Sequence, residues 1–193
     1  MVQMLVVRAG ATDYDEQGRI KGTLDIPLSE AGQGQVGRLI AELHGTQIDH
    51  LYASPCRSAQ QTAELLAADH HLKLKTLDEL QNLDHGLWQG KLIDEVRVSQ
   101  PKVFRQLQEH PETVCPPQGE PVGEALERAR GVISRLLRKH RSGRVAIVVP
   151  EPLATLVLAA ASHHELGDLW KAECGCCGWQ MVDVMPETVV VAS

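Results

Sequence analysis

Two arginines stand where a charged side chain must face a cleft, a partner or solvent. Arg8 closes the apolar run QMLVVR at residues 3–8, and Gly10 just beyond it lets the backbone turn sharply. Arg57 falls in the first turn of a helix expected to open on Ser54-Pro55, where amide groups and the helix dipole favour an anion. Two guanidinium groups and a helix N-terminus would make a phosphate-sized pocket. Two structural ion pairs would use the same residues, and residue types alone leave both readings open. A third unusual chain end is Pro150-Glu151, directly after the apolar run RVAIVV.

The five cysteines, Cys56, Cys115, Cys174, Cys176 and Cys177, are an odd number in a 193-residue chain long enough to stand without staples. A reduced, cytoplasmic protein fits them best. Cys174-Gly-Cys176-Cys177 lacks a second Cys pair or a spaced His pair, so it reads as buried or half-buried thiols rather than a metal centre. No metal and no cofactor is expected.

The elements that must position these groups alternate. Apolar strand-like runs at 3–8, 50–53, 72–77 and 144–149 are separated by helical patterns at 28–43, 54–68, 120–141 and 150–162. Such alternation predicts an α/β fold with a mainly parallel sheet and helices on both faces, and ligands in such sheets bind beyond the carboxyl ends of the strands. Ser29 is placed to cap the first long helix. Residues 86–118 are less regular, with short helices near 92–96 and 101–109, and read as an insertion within one domain spanning 1–193. The tail offers strands near 174–184 and 188–191.

Composition excludes several classes. Aromatic residues are 3% of the chain, so the core must come from the aliphatic part of a 43% hydrophobic content. Twenty-five acidic against 19 basic side chains give a formal charge of −6, which argues against a nucleic-acid partner. The seven Lys/Arg between Arg128 and Arg144 read as a solvated helix face, with an anionic partner as the alternative. No apolar run is long enough to span a membrane, and the first residues lack a signal-peptide pattern.

Over nearly its whole length the chain resembles the histidine phosphatase superfamily, the phosphoglycerate-mutase-like proteins. Arg8, Gly10, Thr12, Gly18, Arg19, Gly22, Asp25, Pro27, Leu28, Gly32 and Gln35 stand in register with the family's opening text. Ser54, Pro55, Arg57, Gln61, Thr62 and Ala63 match its Ser-Pro-x-Arg-x-x-x-Gln-Thr-Ala block. Gly86, Trp88 and Gly90 match Gly-x-Trp-x-Gly, and Pro117, Gly119 and Glu120 match Pro-x-Gly-Glu, with Arg128 following. The resemblance implies a three-layer α/β/α sandwich with a mixed, mostly parallel sheet. It also implies a phosphate site using Arg8, Gly10, Thr23, Arg57 and the position of Asp15.

The departures fall on the chemistry. The resemblance places the family's nucleophilic histidine at Ala9, its second histidine at Pro150 and its proton-donating glutamate at Asn82. Covalent phosphoryl transfer needs a lone pair on a positioned imidazole, and alanine has none. Proline donates no hydrogen bond, and an amide side chain cannot serve as general acid, a role worth about 10²- to 10⁴-fold. Ala11 replaces a glutamate, and Asp15 an asparagine that contacts phosphate. Asp15 and Glu151 together bring two negative charges toward a dianion site, each expected to cost roughly several kcal/mol at a few ångströms. The natural loss of catalysis explains these scattered changes better than one engineered substitution at Ala9.

His85, Glu79, Cys56 and His163-His164 are the candidate substitute groups, each with a structural role as the simpler reading. The function expected is therefore a pseudophosphatase that binds a phosphate-containing small molecule or a protein. The alternatives are an active phosphomonoesterase or mutase with a relocated residue such as His85 or Glu151, and a structural subunit of an assembly. A homo-oligomer fits any of these.

Overall fold

A computed structural model describes residues 2–162 and 164–184 of the chain. Its centre is a five-stranded sheet of β1 (Val2–Arg8), β2 (His50–Ala53), β3 (Leu74–Thr76), β4 (Gly143–Val149) and β5 (Gly178–Val184). The order is β3-β2-β4-β1-β5, with β5 alone antiparallel. This is the mixed, mostly parallel α/β sandwich that the alternation and the resemblance predict.

The two-residue period of the strands builds both faces of the sheet. Met4 and Val6 of β1 and Val145, Ile147 and Val149 of β4 join the core formed with α6 (Val122–Lys139) and α7 (Leu153–Ser162). Leu5, Val7, Ala146 and Val148 point the other way, onto α2 (Glu30–Leu43) and α3 (Arg57–Asp69). The second face is lined with small residues, Ala53, Ala59, Ala63 and Ala146, all fully buried. Truncating a fully buried strand residue such as Ile147 to alanine would cost about 2–5 kcal/mol.

Ser29 caps α2 by accepting from the Gly32 amide at 3.0 Å. The start of α3 differs from expectation. Ser54 and Pro55 form the turn before it, and the helix begins at Arg57 with Cys56 as an N-cap that makes no side-chain cap bond. The capping acceptor comes instead from Asp25, whose Oδ1 takes the Arg57 amide at 2.8 Å. Helix α1 (Asp13–Glu16) is one turn closed by a Thr12/Asp15 capping box.

In the less regular stretch lie α4 (Ile93–Ser99) and α5 (Pro101–Glu109). Val96 and Leu107 are buried in the same core as α6 and α7. Phe104 stacks on Trp170 at 4.7 Å between ring centroids. Trp170 belongs to α8 (Leu169–Glu173), capped by Asp168, a short helix absent from the sequence expectations. The expected strand from Cys174 starts only at Gly178, because Cys174 ends α8 and the backbone turns with positive φ at Cys177. The strand expected near 188–191 lies outside the described residues. Within the basic stretch Arg128, Arg130 and Arg135 pair with Glu120, Glu127 and Glu79. None of the described helices is long and apolar enough to cross a membrane.

Candidate anion site beyond the strand ends

The carboxyl ends of β1, β2 and β4 bring Arg8, Ser54 and Pro150 to one end of the sheet. Gly10 follows Arg8 where no side chain fits. A Cβ there would stand 2.7 Å from Val36, 2.8 Å from the Gly32 carbonyl and 2.9 Å from Leu28. The loop it opens is held by side chains from the family blocks. Thr62 Oγ1 accepts from the Gly10 amide at 3.2 Å, Gln35 Oε1 from Ala11 at 3.0 Å, and Gln61 Oε1 from Leu28 at 2.8 Å. These motif residues therefore act here on the backbone, fixing the loop around Ala9.

Ala9 itself is 4% exposed, its amide bonded to the Val149 carbonyl at 2.9 Å and its carbonyl to the Cys177 amide at 2.9 Å. Arg8 donates from Nε to Glu151 Oε1 at 2.6 Å. The Arg8 side chain is 25% exposed and that of Glu151 only 2%. Glu151 Oε2 accepts from the Thr155 amide at 3.1 Å and its hydroxyl at 2.9 Å, in the first turn of α7. Pro150 is buried beside it. Asn82 is also buried. Its amide donates to the carbonyls of Gly22 and Glu151, both at 3.0 Å, and its oxygen accepts from Leu153 at 3.3 Å.

Asp15 is engaged on both oxygens. Oδ2 accepts from the Thr12 amide at 2.7 Å and hydroxyl at 2.8 Å, and Oδ1 pairs with the buried Lys21. The two negative charges expected near the site are each paired within the fold, Glu151 with Arg8 and Asp15 with Lys21. Thr23 is held by Gln89, whose Oε1 accepts from both its amide and its hydroxyl, the latter at 2.9 Å. Gly22 makes this reach possible, since a Cβ there would meet Gln89 Oε1 at 2.1 Å, and its φ is +55°. Arg57 is exposed, and its guanidinium makes no ion pair among the described residues.

His85 is fully buried, hydrogen-bonded through Nε2 to Glu173 and flanked by Trp88 and Trp170. With no exposed surface it meets no substrate in this arrangement. Glu79 pairs with Arg135 at 2.5 Å, which holds its carboxyl down to about 2, so it stays ionised and is no proton donor near neutral pH. Cys56 is half-buried and lies against Ser54 and Ser58. His164 lies exposed against Ser162, and His163 lies outside the described residues. Cys176 and Cys177 line a cavity of about 200 Å³ with Gln35, Arg38 and Glu42. Burial pushes the Cys177 thiol up to about 11, and raises those of Cys174 and Cys176. Among the described residues no cluster of three or more His, Cys, Asp and Glu is arranged to hold a metal.

Sequence reasoning missed Lys21, Gln89, Thr155 and Glu173. Gln89 and Glu173 have no local signal, because their partners lie 66 and 88 residues away, whereas Thr155 and Lys21 stand four and six residues from the carboxylates they hold. Arg128 was matched to the family text, and the structure gives its use. It grips Glu120 at 2.8 and 2.9 Å and the carbonyls of Glu79 and Gln81, both at 2.7 Å, steadying the turn that carries Asn82.

A mostly parallel sheet between two helical layers, with an Arg-x-Gly turn at the end of its first strand, makes this an α/β sandwich with its candidate site beyond the strand ends. The chain belongs to the histidine phosphatase superfamily (branch 1), whose model matches residues 4–193. It is similar to phosphoserine phosphatase 1 of Hydrogenobacter thermophilus, 29% identical over 174 residues, covering 90% of this chain and 82% of that protein. It is also 29% identical over 148 residues to a probable phosphoglycerate mutase, GpmB, of Cronobacter sakazakii, covering 77% and 69% of the two chains. Among solved structures, mycobacterial glucosyl-3-phosphoglycerate phosphatase shares the fold with a TM-score of 0.83 at 24% identity, over 94% of this chain and 92% of that one.

Proposed function

We propose that this protein is a pseudophosphatase, which keeps the family scaffold, lacks its phosphoryl-transfer chemistry and works by binding a ligand or a protein at the inherited cleft. The observation that carries the reading is Ala9, a buried methyl group at the end of β1, where the family resemblance places the attacking imidazole. Asn82 supports it, because the side chain at the proton donor's position is spent on three structural hydrogen bonds. Arg8, Arg57, Gly10, Thr23 and Asp15 remain the residues around which a ligand would sit.

The relatives' names supply the substrates to try: phosphoserine and phosphoglycerates, beside a chromogenic phosphate monoester. The expected result is no turnover above the uncatalysed background. Steady turnover that disappears in Arg8→Ala would overturn the reading. In a thermal-shift panel of phosphate, vanadate and carboxylates, a stabilisation lost in Arg8→Ala marks the cleft as the binding site. No shift with any anion would favour the structural-subunit alternative.

A further inference from the structure

Several donors around the cleft already have acceptors belonging to this chain. Arg8 Nε is taken by Glu151, the Arg57 amide by Asp25, the Thr23 amide and hydroxyl by Gln89, and the Gly10 amide by Thr62. A cleft kept ready for a doubly charged ligand leaves such groups to water, so that binding has donors to recruit. Here one acceptor is a charged group in the fixed position of a ligand. Glu151 is 2% exposed at its side chain, holds Arg8 with one oxygen and is clasped at the other by the amide and hydroxyl of Thr155. Its main chain is pinned in turn by Asn82 at 3.0 Å.

We propose that Glu151 is an internal ligand of Arg8 that bars phosphate dianions from the cleft and restricts it to singly charged or uncharged ligands. This rests on the reading of the cleft as a binding site. A dianion reaching Arg8 must either share the guanidinium with a fixed carboxylate or displace that carboxylate and leave it buried without a counter-ion. Both outcomes are unfavourable. The neighbouring Lys21 does not relieve the conflict, because it is committed to Asp15; the exposed Arg57 guanidinium, which has no ion pair among the described residues, is the cation left to an incoming anion, and it leaves the contest at Arg8 itself unchanged. A monoanion or a neutral group meets a pair that is already balanced and avoids most of the repulsion.

Calorimetric titration at pH 8 with inorganic phosphate and with methanesulfonate, on the wild-type chain, Glu151→Gln and Arg8→Ala/Glu151→Gln, tests this. Glu151→Gln is expected to bind phosphate at least about tenfold more tightly than wild type, and the double variant to lose that gain. Methanesulfonate affinity should change by less than about threefold between wild type and Glu151→Gln. Equal phosphate affinity in these two proteins overturns the proposal while leaving a binding cleft in place. Absence of binding by both anions in every variant sinks the binding reading itself, and the proposal with it. If Glu151→Gln does not fold, Thr155→Val removes the hydroxyl that clasps Glu151 without changing any charge. That variant should tighten phosphate about threefold, and no gain there overturns the proposal.

Discussion

The side-chain amide of Asn82 donates to the main-chain carbonyl of Glu151 at 3.0 Å and, from the same nitrogen, to the carbonyl of Gly22 at 3.0 Å. With its oxygen bonded to the Leu153 amide, one buried side chain joins the loop after β1 to the start of α7. Asn82→Ala leaves two carbonyls and an amide without partners in the interior. A loss of about 2–4 kcal/mol in urea-unfolding free energy is expected. Asn82→Asp should lose more at neutral pH, since a carboxylate cannot donate to either carbonyl. A loss under about 0.5 kcal/mol for alanine would mean the bracket carries no stability.

On the proposed reading, placing an imidazole at residue 9 is not expected to create catalysis. Ala9→His supplies a lone pair, but no acid stands at Asn82, a deficit of about 10²- to 10⁴-fold by itself. Arg8, moreover, is already committed to Glu151. Turnover of a chromogenic monoester by Ala9→His should therefore stay at background. A rise of more than about a hundredfold would show that the other substitutions matter less than their chemistry implies.

A pH effect on stability is expected at the far end of the sheet. His140 is buried, stacks on His50 at 3.8 Å and bonds Tyr52 Oη through Nε2 at 2.8 Å. Burial is the main cause that lowers its pKa below 6.5, and His50, Lys139 and Lys75 add to it. The folded state therefore holds His140 neutral while the unfolded chain takes up a proton near 6.5. Stability from this group is present above that pH and is lost as pH falls through the lowered folded value. Melting temperature should drop between pH 7.5 and 5.5, and His140→Gln should flatten the drop. An unchanged slope in the variant would assign the effect to other groups.

Thiol labelling should separate the cysteines. Cys115 is exposed, whereas Cys177 is half-buried with its thiol pushed up to about 11. At pH 7.5 a maleimide should modify Cys115 well before Cys177, as read by mass spectrometry of peptides. Faster labelling at Cys177 would mean that the turn at Cys176–Gly178 opens in solution.

What the sequence made legible was local. The uninterrupted apolar run Met4, Leu5, Val6 and Val7 predicts a buried strand, and Ser29 announces a helix start by its own hydroxyl. The family blocks located Arg8, Arg57 and Asn82 because their spacing along the chain is itself the pattern. The pairings that decide the site were not legible. Arg8 and Glu151 are 143 residues apart, and Thr23 and Gln89 are 66 apart. An ion pair of that span depends on which strands become neighbours, and no turn-scale rule reports it. Asp25 shows the same gap at shorter range: the cap of α3 was expected from Ser54 and came from another loop. The Thr12-x-x-Asp15 box is readable from its spacing alone, and it turns Asp15 toward the start of α1 as a capping group.

Both neighbours of β1 come from the distal part of the chain. Val2–Arg8 pairs with Gly143–Val149 on one side and, in antiparallel register from Val2↔Val184 to Arg8↔Gly178, with β5 on the other. During synthesis the first strand leaves the ribosome with two bare edges. One is closed only after β4 has emerged, and the second waits for nearly the last residues described here. A nascent or truncated polypeptide thus carries an uncapped, apolar ribbon that invites pairing with other chains. Premature termination before Gly178 would be felt first as insolubility.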